Sequence, residues 1–155
     1  MTMTDPATLP WQPLSPGFSL KLLHGADDRD TRALLLRLEP GTVIDKHRHH
    51  GEVHALNLAG WRKILETGEV IGPGGYVHEP AGNVDSWMAI GDEPVIVFVT
   101  VQGAMESLDE RGQVIDCSTT STIAEAYARF SSQPLPSPST QLTPSSGTSL
   151  QPALE

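Results

Sequence analysis

The chain has 155 residues, a formal net charge of −9 at pH 7 and a pI near 5.0. Its length predicts a single domain, and its acidity argues against nucleic acid or an anionic membrane as a partner. Glycine (14 residues) and proline (13 residues) are frequent, which favours short strands joined by tight turns.

Three further features of the sequence bear on the cellular compartment of the protein. No apolar run approaches the roughly 18 residues that cross a bilayer. The first residues lack the basic and apolar regions of a signal peptide. The single cysteine, Cys117, excludes an intramolecular disulfide. We therefore expect a cytoplasmic protein in which Cys117 is a buried, unreactive thiol.

Composition divides the chain into three regions. Residues 1–10 are polar and predict a mobile N-terminus, while residues 11–130 carry nearly all of the apolar periodicity. Residues 131–155 are rich in proline, serine and threonine and have no aromatic or β-branched apolar side chain. Such a segment buries too little apolar surface to offset its ordering entropy, so we predict a disordered tail.

Short strands dominate the predicted structure of residues 11–130. Roughly nine are expected, separated by turns at 66–69 and 109–112, which favours an all-β barrel or sandwich. The predicted strands lie at 32–38, near 47–49, and at 53–58, 61–65, 70–71, 76–79, 86–90, 94–101 and 113–115.

One helix is predicted after the last strand. Thr122 and Glu125 have the spacing of a capping box at its start. Ile123, Tyr127 and Phe130 then fall on one face, so we expect the helix to pack against the outside of the barrel.

The histidines of the segment His47-Arg48-His49 are the main candidates for chemistry. On a strand, alternate side chains share a face and lie about 7 Å apart, so both imidazoles can lean onto one metal ion with bonds of about 2.1 Å. His50 then points away from them. Taken alone, two histidines at this spacing are weak support for a metal site.

The surrounding spacing strengthens the prediction. Five residues separate Gly41 from His47, and Gly60 closes that segment. A second segment has five residues after Gly74, then Pro80-Ala81-Gly82, then two residues before Asp85. Proline and glycine predict a tight turn that aims position 85 at the first segment. The two segments resemble the two short motifs of the cupin superfamily.

The resemblance extends over about residues 11–130. HRHHGEVHALNLAG, WRKILE, GGYVHEPAGN, GAM and DERGQV are similar to the 2,4′-dihydroxyacetophenone dioxygenase group of cupins, which is related to the acetylacetone-cleaving dioxygenase and the anti-sigma-factor cupins. The resemblance implies a single-domain cupin jelly-roll barrel. It also implies a ferrous ion on three histidines, a small-molecule substrate cleaved at a carbon–carbon bond with O2, and a homodimer.

Two of the three metal-binding histidines of that group correspond to His47 and His49. The third position carries Asp85, and His54 stands where many cupins have a glutamate. The ligand set is therefore two histidines with a carboxylate, or three histidines with a carboxylate. Both suit Fe²⁺, with Zn²⁺, Mn²⁺ and Ni²⁺ as alternatives. The competing interpretation is that Asp85 marks a branch that has lost the metal.

The leading functional hypothesis is a non-haem iron dioxygenase acting on a hydroxy-ketone or diketone. The alternatives are a non-catalytic metal-binding or sensor cupin and a zinc-dependent isomerase or hydrolase. No catalytic residue beyond the metal ligands is identified. Glu52 and Arg62 are interpreted by default as surface residues, and His78 as either a pocket residue or a structural histidine.

Overall fold

The computed structural model describes residues 1–133, and the all-β prediction is confirmed for this part of the chain. It contains two short 3₁₀ helices, at Pro6–Thr8 and Asp27–Arg29, twelve strands and one α-helix. The strands are β1 (Gln12–Ser15), β2 (Phe18–Ala26), β3 (Thr31–Leu38), β4 (Val43–His49), β5 (Val53–Ala59), β6 (Trp61–Ile64), β7 (Val70–Ile71), β8 (Tyr76–Glu79), β9 (Val84–Ile90), β10 (Val95–Gln102), β11 (Met105–Leu108) and β12 (Val114–Ser118), followed by α1 (Thr120–Ser131).

Two antiparallel six-stranded sheets form the barrel. One has the order β1-β2-β3-β10-β5-β8, and the other has the order β12-β11-β4-β9-β6-β7. Buried side chains of both sheets meet in a single hydrophobic cluster, which includes Leu38 and Val97 from the first sheet and Trp87 and Ala89 from the second. The interior of the barrel is thus the space between the two sheets.

Alternation along the strands decides which side chains reach that interior. In β10, Val95, Val97, Val99 and Val101 are buried, and the residues between them are only partly so. Side chains alternate in the same way along β4, β5, β8 and β9, so some of their polar side chains point into the barrel and the others point outward.

The predicted strands are present, and three strands were not predicted: β1, β2 and β11. β2 was missed because its burial does not follow a strict alternation and its pairing with β3 shifts register between Leu22 and His24. The predicted turn at 109–112 joins β11 to β12, where the Gly112 N–H donates to the Asp109 carbonyl at 2.9 Å.

The helix is confirmed, but its predicted start is wrong. The N-cap is Thr119, whose hydroxyl accepts from the Thr122 N–H at 3.3 Å, while the Thr122 hydroxyl accepts from the Thr119 N–H at 2.9 Å. Two threonines therefore form the capping box, without Glu125. The apolar face behaves as expected, since Tyr127 is buried and Ile123 and Phe130 pack against the core.

The structure also bears on the predictions for the cysteine, the tail and membrane-spanning segments. Cys117 is exposed on β12, so the prediction of a buried thiol is wrong. The predicted disordered tail lies almost entirely outside the described residues. Within them, no helix is long and apolar enough to cross a membrane.

The burial pattern predicts which leucines support the fold. Leu38 is fully buried, whereas Leu58 is 48% exposed on the outer side of β5. Leu38→Ala should lower the free energy of unfolding by about 2–5 kcal/mol, because it removes packed methyl groups and leaves a cavity. Leu58→Ala, the matched control, should change it by less than about 1 kcal/mol. Urea unfolding measures both, and equal losses would contradict this assignment of the core.

Candidate metal centre

Strand β4 presents two histidines to the interior. His47 and His49 are each 5% exposed, and their rings meet edge to face with centroids 4.8 Å apart. Arg48, between them, lies on the opposite side of the strand and binds Glu106 at 3.2 Å. The predicted common face of His47 and His49 is therefore what the structure has.

Asp85 reaches the same place from β9. Its strand pairs with β4 so that Asp85 lies directly opposite His47. The chain enters β9 through the predicted turn, in which the Asn83 N–H donates to the Pro80 carbonyl at 3.1 Å and Gly82 adopts a φ of +85°. A positive φ favours glycine, which explains this residue in the second motif.

The contact between His47 and Asp85 has the spacing of two ligands of one ion. His47 Nε2 and Asp85 Oδ1 are 3.2 Å apart, yet this oxygen has no hydrogen-bond partner among the described residues. Two donors about 2.1 Å from one cation lie roughly 3.0–3.4 Å apart at octahedral or tetrahedral angles. Instead of a well-aligned hydrogen bond, the pair thus offers two donor atoms at a metal-compatible distance.

Glu79 is a further member of this group that the sequence analysis missed. It lies on β8, opposite Val53 of β5, and Glu79 Oε2 is 4.0 Å from His49 Nε2. The Asn83 amide donates to Glu79 Oε1 at 3.0 Å. The available clue was the alternation along Tyr76–Glu79, which places Glu79 on the side opposite to Tyr76 and His78.

Burial and a neighbouring carboxylate keep Glu79 protonated. Its pKa is raised from 4.5 to about 8, first by burial and then by its hydrogen bond to Asp85 and by the charge of Asp85, with Arg62 acting in the opposite direction. The Glu79 carboxyl group therefore keeps its proton near neutral pH.

His49 is neutral in the interior. Its pKa is lowered from 6.5 to about 3, first by burial and then by the nearby charges of His47 and Arg32. Within residues 1–133 its Nδ1 has no hydrogen-bond partner. A neutral imidazole is the form that binds metal ions.

Arg62 places a buried cation beside the carboxyl groups. It is 4% exposed, its Nε donates to Asn57 Oδ1 at 3.1 Å, and its guanidinium lies 4.8 Å from the centre of the Trp87 ring. Burial lowers its pKa, while Glu79 and Asp85 oppose that effect. The expected surface position for Arg62 is wrong, because alternation along β6 turns this residue inward.

Four of these polar residues, His47, His49, Arg62 and Glu79, line a cavity of about 630 Å³. Its walls are largely apolar, and α1 contributes Thr122, Ile123 and Ala126 to the lining. The helix thus borders the cavity as well as packing against β2 and β1. A cavity of this size suits a small organic ligand.

His54 is not brought to this group. It lies on the outer side of β5, with a side chain that is 46% exposed, whereas its neighbour Val53 points inward and is 3% exposed. A shift of one residue along a strand reverses the face. The expectation that His54 shares a site with His47, His49 and Asp85 is therefore not supported by the structure.

His54 has different neighbours. In residues 1–133, one group of three potential ligands has all its donor atoms within 4.8 Å of one another: Glu52, His54 and His78. All three side chains are exposed, on the outside of the barrel. The interior donors, by contrast, form two close pairs, His47 with Asp85 and His49 with Glu79.

Comparisons with known proteins agree with the fold. A cupin of the RmlC-like type from Ralstonia eutropha JMP134 superimposes with a TM-score of 0.78 at 23% identity, covering 83% of this chain and 85% of that one. An acetylacetone dioxygenase from Acinetobacter johnsonii gives 0.72 at 16% identity, with 83% and 91% covered. A structure of Rhodobacter sphaeroides SigE with the anti-sigma ChrR gives 0.55 at 21% identity, with 63% and 51% covered.

At these identities the structural likeness shows the fold alone. No curated protein sequence matches the chain significantly. The family model of the ChrR cupin-like domain matches residues 1–106, which is more than half of the chain. The predicted cupin superfamily is thereby confirmed, and the chain belongs to the family of ChrR cupin-like domains.

Proposed function

We propose that the barrel binds a divalent metal ion through His47, His49 and Asp85, with Fe²⁺ as the favoured ion. The observation that carries the proposal is the pair of buried donors, His47 Nε2 and Asp85 Oδ1, placed 3.2 Å apart without a hydrogen bond between them. Two histidines and one carboxylate with open positions are the ligand set typical of non-haem ferrous oxygenases.

The surroundings support an oxygenase that cleaves a carbon–carbon bond of a small hydroxy-ketone or diketone. When bound, a ferrous ion supplies Lewis acidity and one-electron chemistry toward O2. The apolar walls of the cavity, which include Leu34, Val97 and Val99, limit the access of water to a ligand held there.

Arg62 provides a hydrogen-bond donor for a substrate of the proposed class. It lines the cavity, and its Nη2 has no hydrogen-bond partner within the described residues. A guanidinium N–H donates strongly to an anionic oxygen. An enolate or phenolate oxygen of a ketone substrate is the kind of group that this position would bind.

The acetylacetone dioxygenase among the structural relatives favours catalysis, whereas the anti-sigma ChrR favours a non-catalytic sensor. A zinc-dependent isomerase or hydrolase is the third candidate. Metal content separates the three candidates in part, because the oxygenase requires a redox-active ion. As further parts of the proposal, the protein is cytoplasmic and forms a homodimer.

Removal of the interior ligands tests the metal site. Anaerobic titration should show that His47→Ala/His49→Ala loses one equivalent of bound Fe²⁺ and that Asp85→Ala weakens the same binding strongly, because each change removes donors from a buried site. The matched control is His24→Ala, at an exposed histidine of β2 outside both groups of ligands. Unchanged stoichiometry and affinity in both interior variants would refute the site.

The reaction is tested by O2 consumption. Protein loaded with Fe²⁺ should take up O2 on addition of acetylacetone or a hydroxyacetophenone, and Asp85→Ala should abolish the uptake. Arg62→Lys keeps the charge but loses the planar donor pair, so it should raise KM more than it lowers kcat. Protein that binds zinc tightly and shows no O2 uptake with any of these ketones would contradict the oxygenase in favour of its alternatives.

The raised pKa of Glu79 predicts a pH-dependent stability of the metal-free protein. The folded state keeps a proton that the unfolded chain releases near pH 4.5, so the contribution of Glu79 to the free energy of unfolding falls as the pH rises from about 4.5 through about 8. Glu79→Gln has no such proton and should flatten this dependence, while Glu110→Gln, at an exposed turn residue, should not. Urea unfolding in the presence of a chelator, between about pH 5 and pH 8.5, measures the difference. Parallel curves for wild type and Glu79→Gln would contradict the charge assignment.

A further inference from the structure

The outer face of β5 and β8 carries a second group of potential metal ligands, outside the interior group. His54 and His78 lie directly opposite each other on these antiparallel strands. Opposed side chains have β-carbons about 4.5–5.5 Å apart, a spacing that allows two imidazoles to reach one ion. Their rings stack with an interplanar angle of 28° and centroids 5.0 Å apart.

Glu52 adds a carboxylate that faces both rings. Its Oε2 is 3.8 Å from His54 Nε2, and its Oε1 is 3.6 Å from His78 Nε2. These distances exceed the roughly 3.0–3.4 Å expected for ligands of one ion by only a few tenths of an ångström. Side chains that are 43–55% exposed have the freedom to make that adjustment.

The loop that carries Glu52 is held in place. The Gln102 N–H donates to the Glu52 carbonyl at 3.0 Å. A side chain at Gly51 would collide with the Gln102 carbonyl, so glycine permits this close approach of the loop to β10. The backbone of the carboxylate ligand is therefore fixed relative to β5.

Tyr76 supports the orientation of His54. Its hydroxyl is 2.6 Å from His54 Nδ1 and its ring stacks on that imidazole. When Nδ1–H donates to this hydroxyl, Nε2 keeps its lone pair and faces Glu52. Metal-binding histidines commonly have such a partner on the second ring nitrogen.

We propose that Glu52, His54 and His78 form a second metal site, on the outside of the barrel, which takes a divalent first-row transition ion such as Zn²⁺. Two imidazoles and a carboxylate suit this class of ion, with water in the remaining positions. The ion would join the edge strand β8 to β5. The site shares no residue with the interior group and does not depend on the proposed oxygenase.

Zinc stoichiometry tests the outer site. Wild-type protein, equilibrated with Zn²⁺ by dialysis, should hold two equivalents. His54→Ala/His78→Ala should hold one, and His24→Ala should hold two. Loss of one equivalent only in His47→Ala/His49→Ala, with His54→Ala/His78→Ala unchanged from wild type, would overturn the outer site. The opposite pattern would support the outer site and refute the interior one.

A substitution at Tyr76 distinguishes a specific metal site from non-specific binding of Zn²⁺ by exposed histidines. Tyr76→Phe keeps the aromatic ring and removes the hydroxyl, so Zn²⁺ affinity at the outer site should fall about 10-fold. Calorimetric titration of His47→Ala/His49→Ala, or of wild type if that variant does not fold, measures the change. Identical affinities with tyrosine and phenylalanine would contradict the role of Tyr76, and Zn²⁺ binding that survives His54→Ala/His78→Ala at full affinity would overturn the site.

Discussion

The antiparallel registers of β4 with β9 and of β5 with β8 are the constraint on which both candidate sites depend. The first register sets Asp85 opposite His47 on the inner face. The second sets His54 opposite His78, and this pair faces outward. Because side chains alternate, a slip of one residue in either pair would move the possible ligands to the opposite face of the sheet. The registers of these two strand pairs therefore fix the positions of the possible ligands.

The interior group brings together ionisable side chains that would be costly to bury separately. Two carboxyl groups, two imidazoles and the Arg62 guanidinium lie together beside largely apolar walls. The raised pKa of Glu79 and the lowered pKa of His49 both follow from burial, which disfavours the charged form of each group. A divalent cation would supply positive charge to the carboxylates and a partner for the ring nitrogens of both histidines. Polar groups collected in this way are more typical of a binding site than of a structural core.

The sequence predicted much of the fold and part of the site. Runs such as 94–101 are rich in β-branched residues, which are enriched in strands, and the common face of His47 and His49 follows from strand periodicity alone. The position of His54 was not predictable, because the residue at which β5 begins decides whether Val53 or His54 faces inward. Glu79 was overlooked and Arg62 was placed at the surface, because alternation along β8 and β6 separates two faces without telling which of them is inside. Spacing along the chain identifies faces of single strands, whereas the membership of a site depends on contacts between strands.

The proposed function depends on one metal ion held by His47, His49 and Asp85 inside the barrel. Crystals of the protein grown anaerobically with Fe²⁺, measured on both sides of the iron absorption edge, would locate the ion directly. We expect an anomalous peak between His47 Nε2 and Asp85 Oδ1, within about 2.0–2.3 Å of both atoms and in reach of His49. If crystals grown with enough Fe²⁺ to saturate the protein show no anomalous peak inside the barrel, the result contradicts the interior metal site.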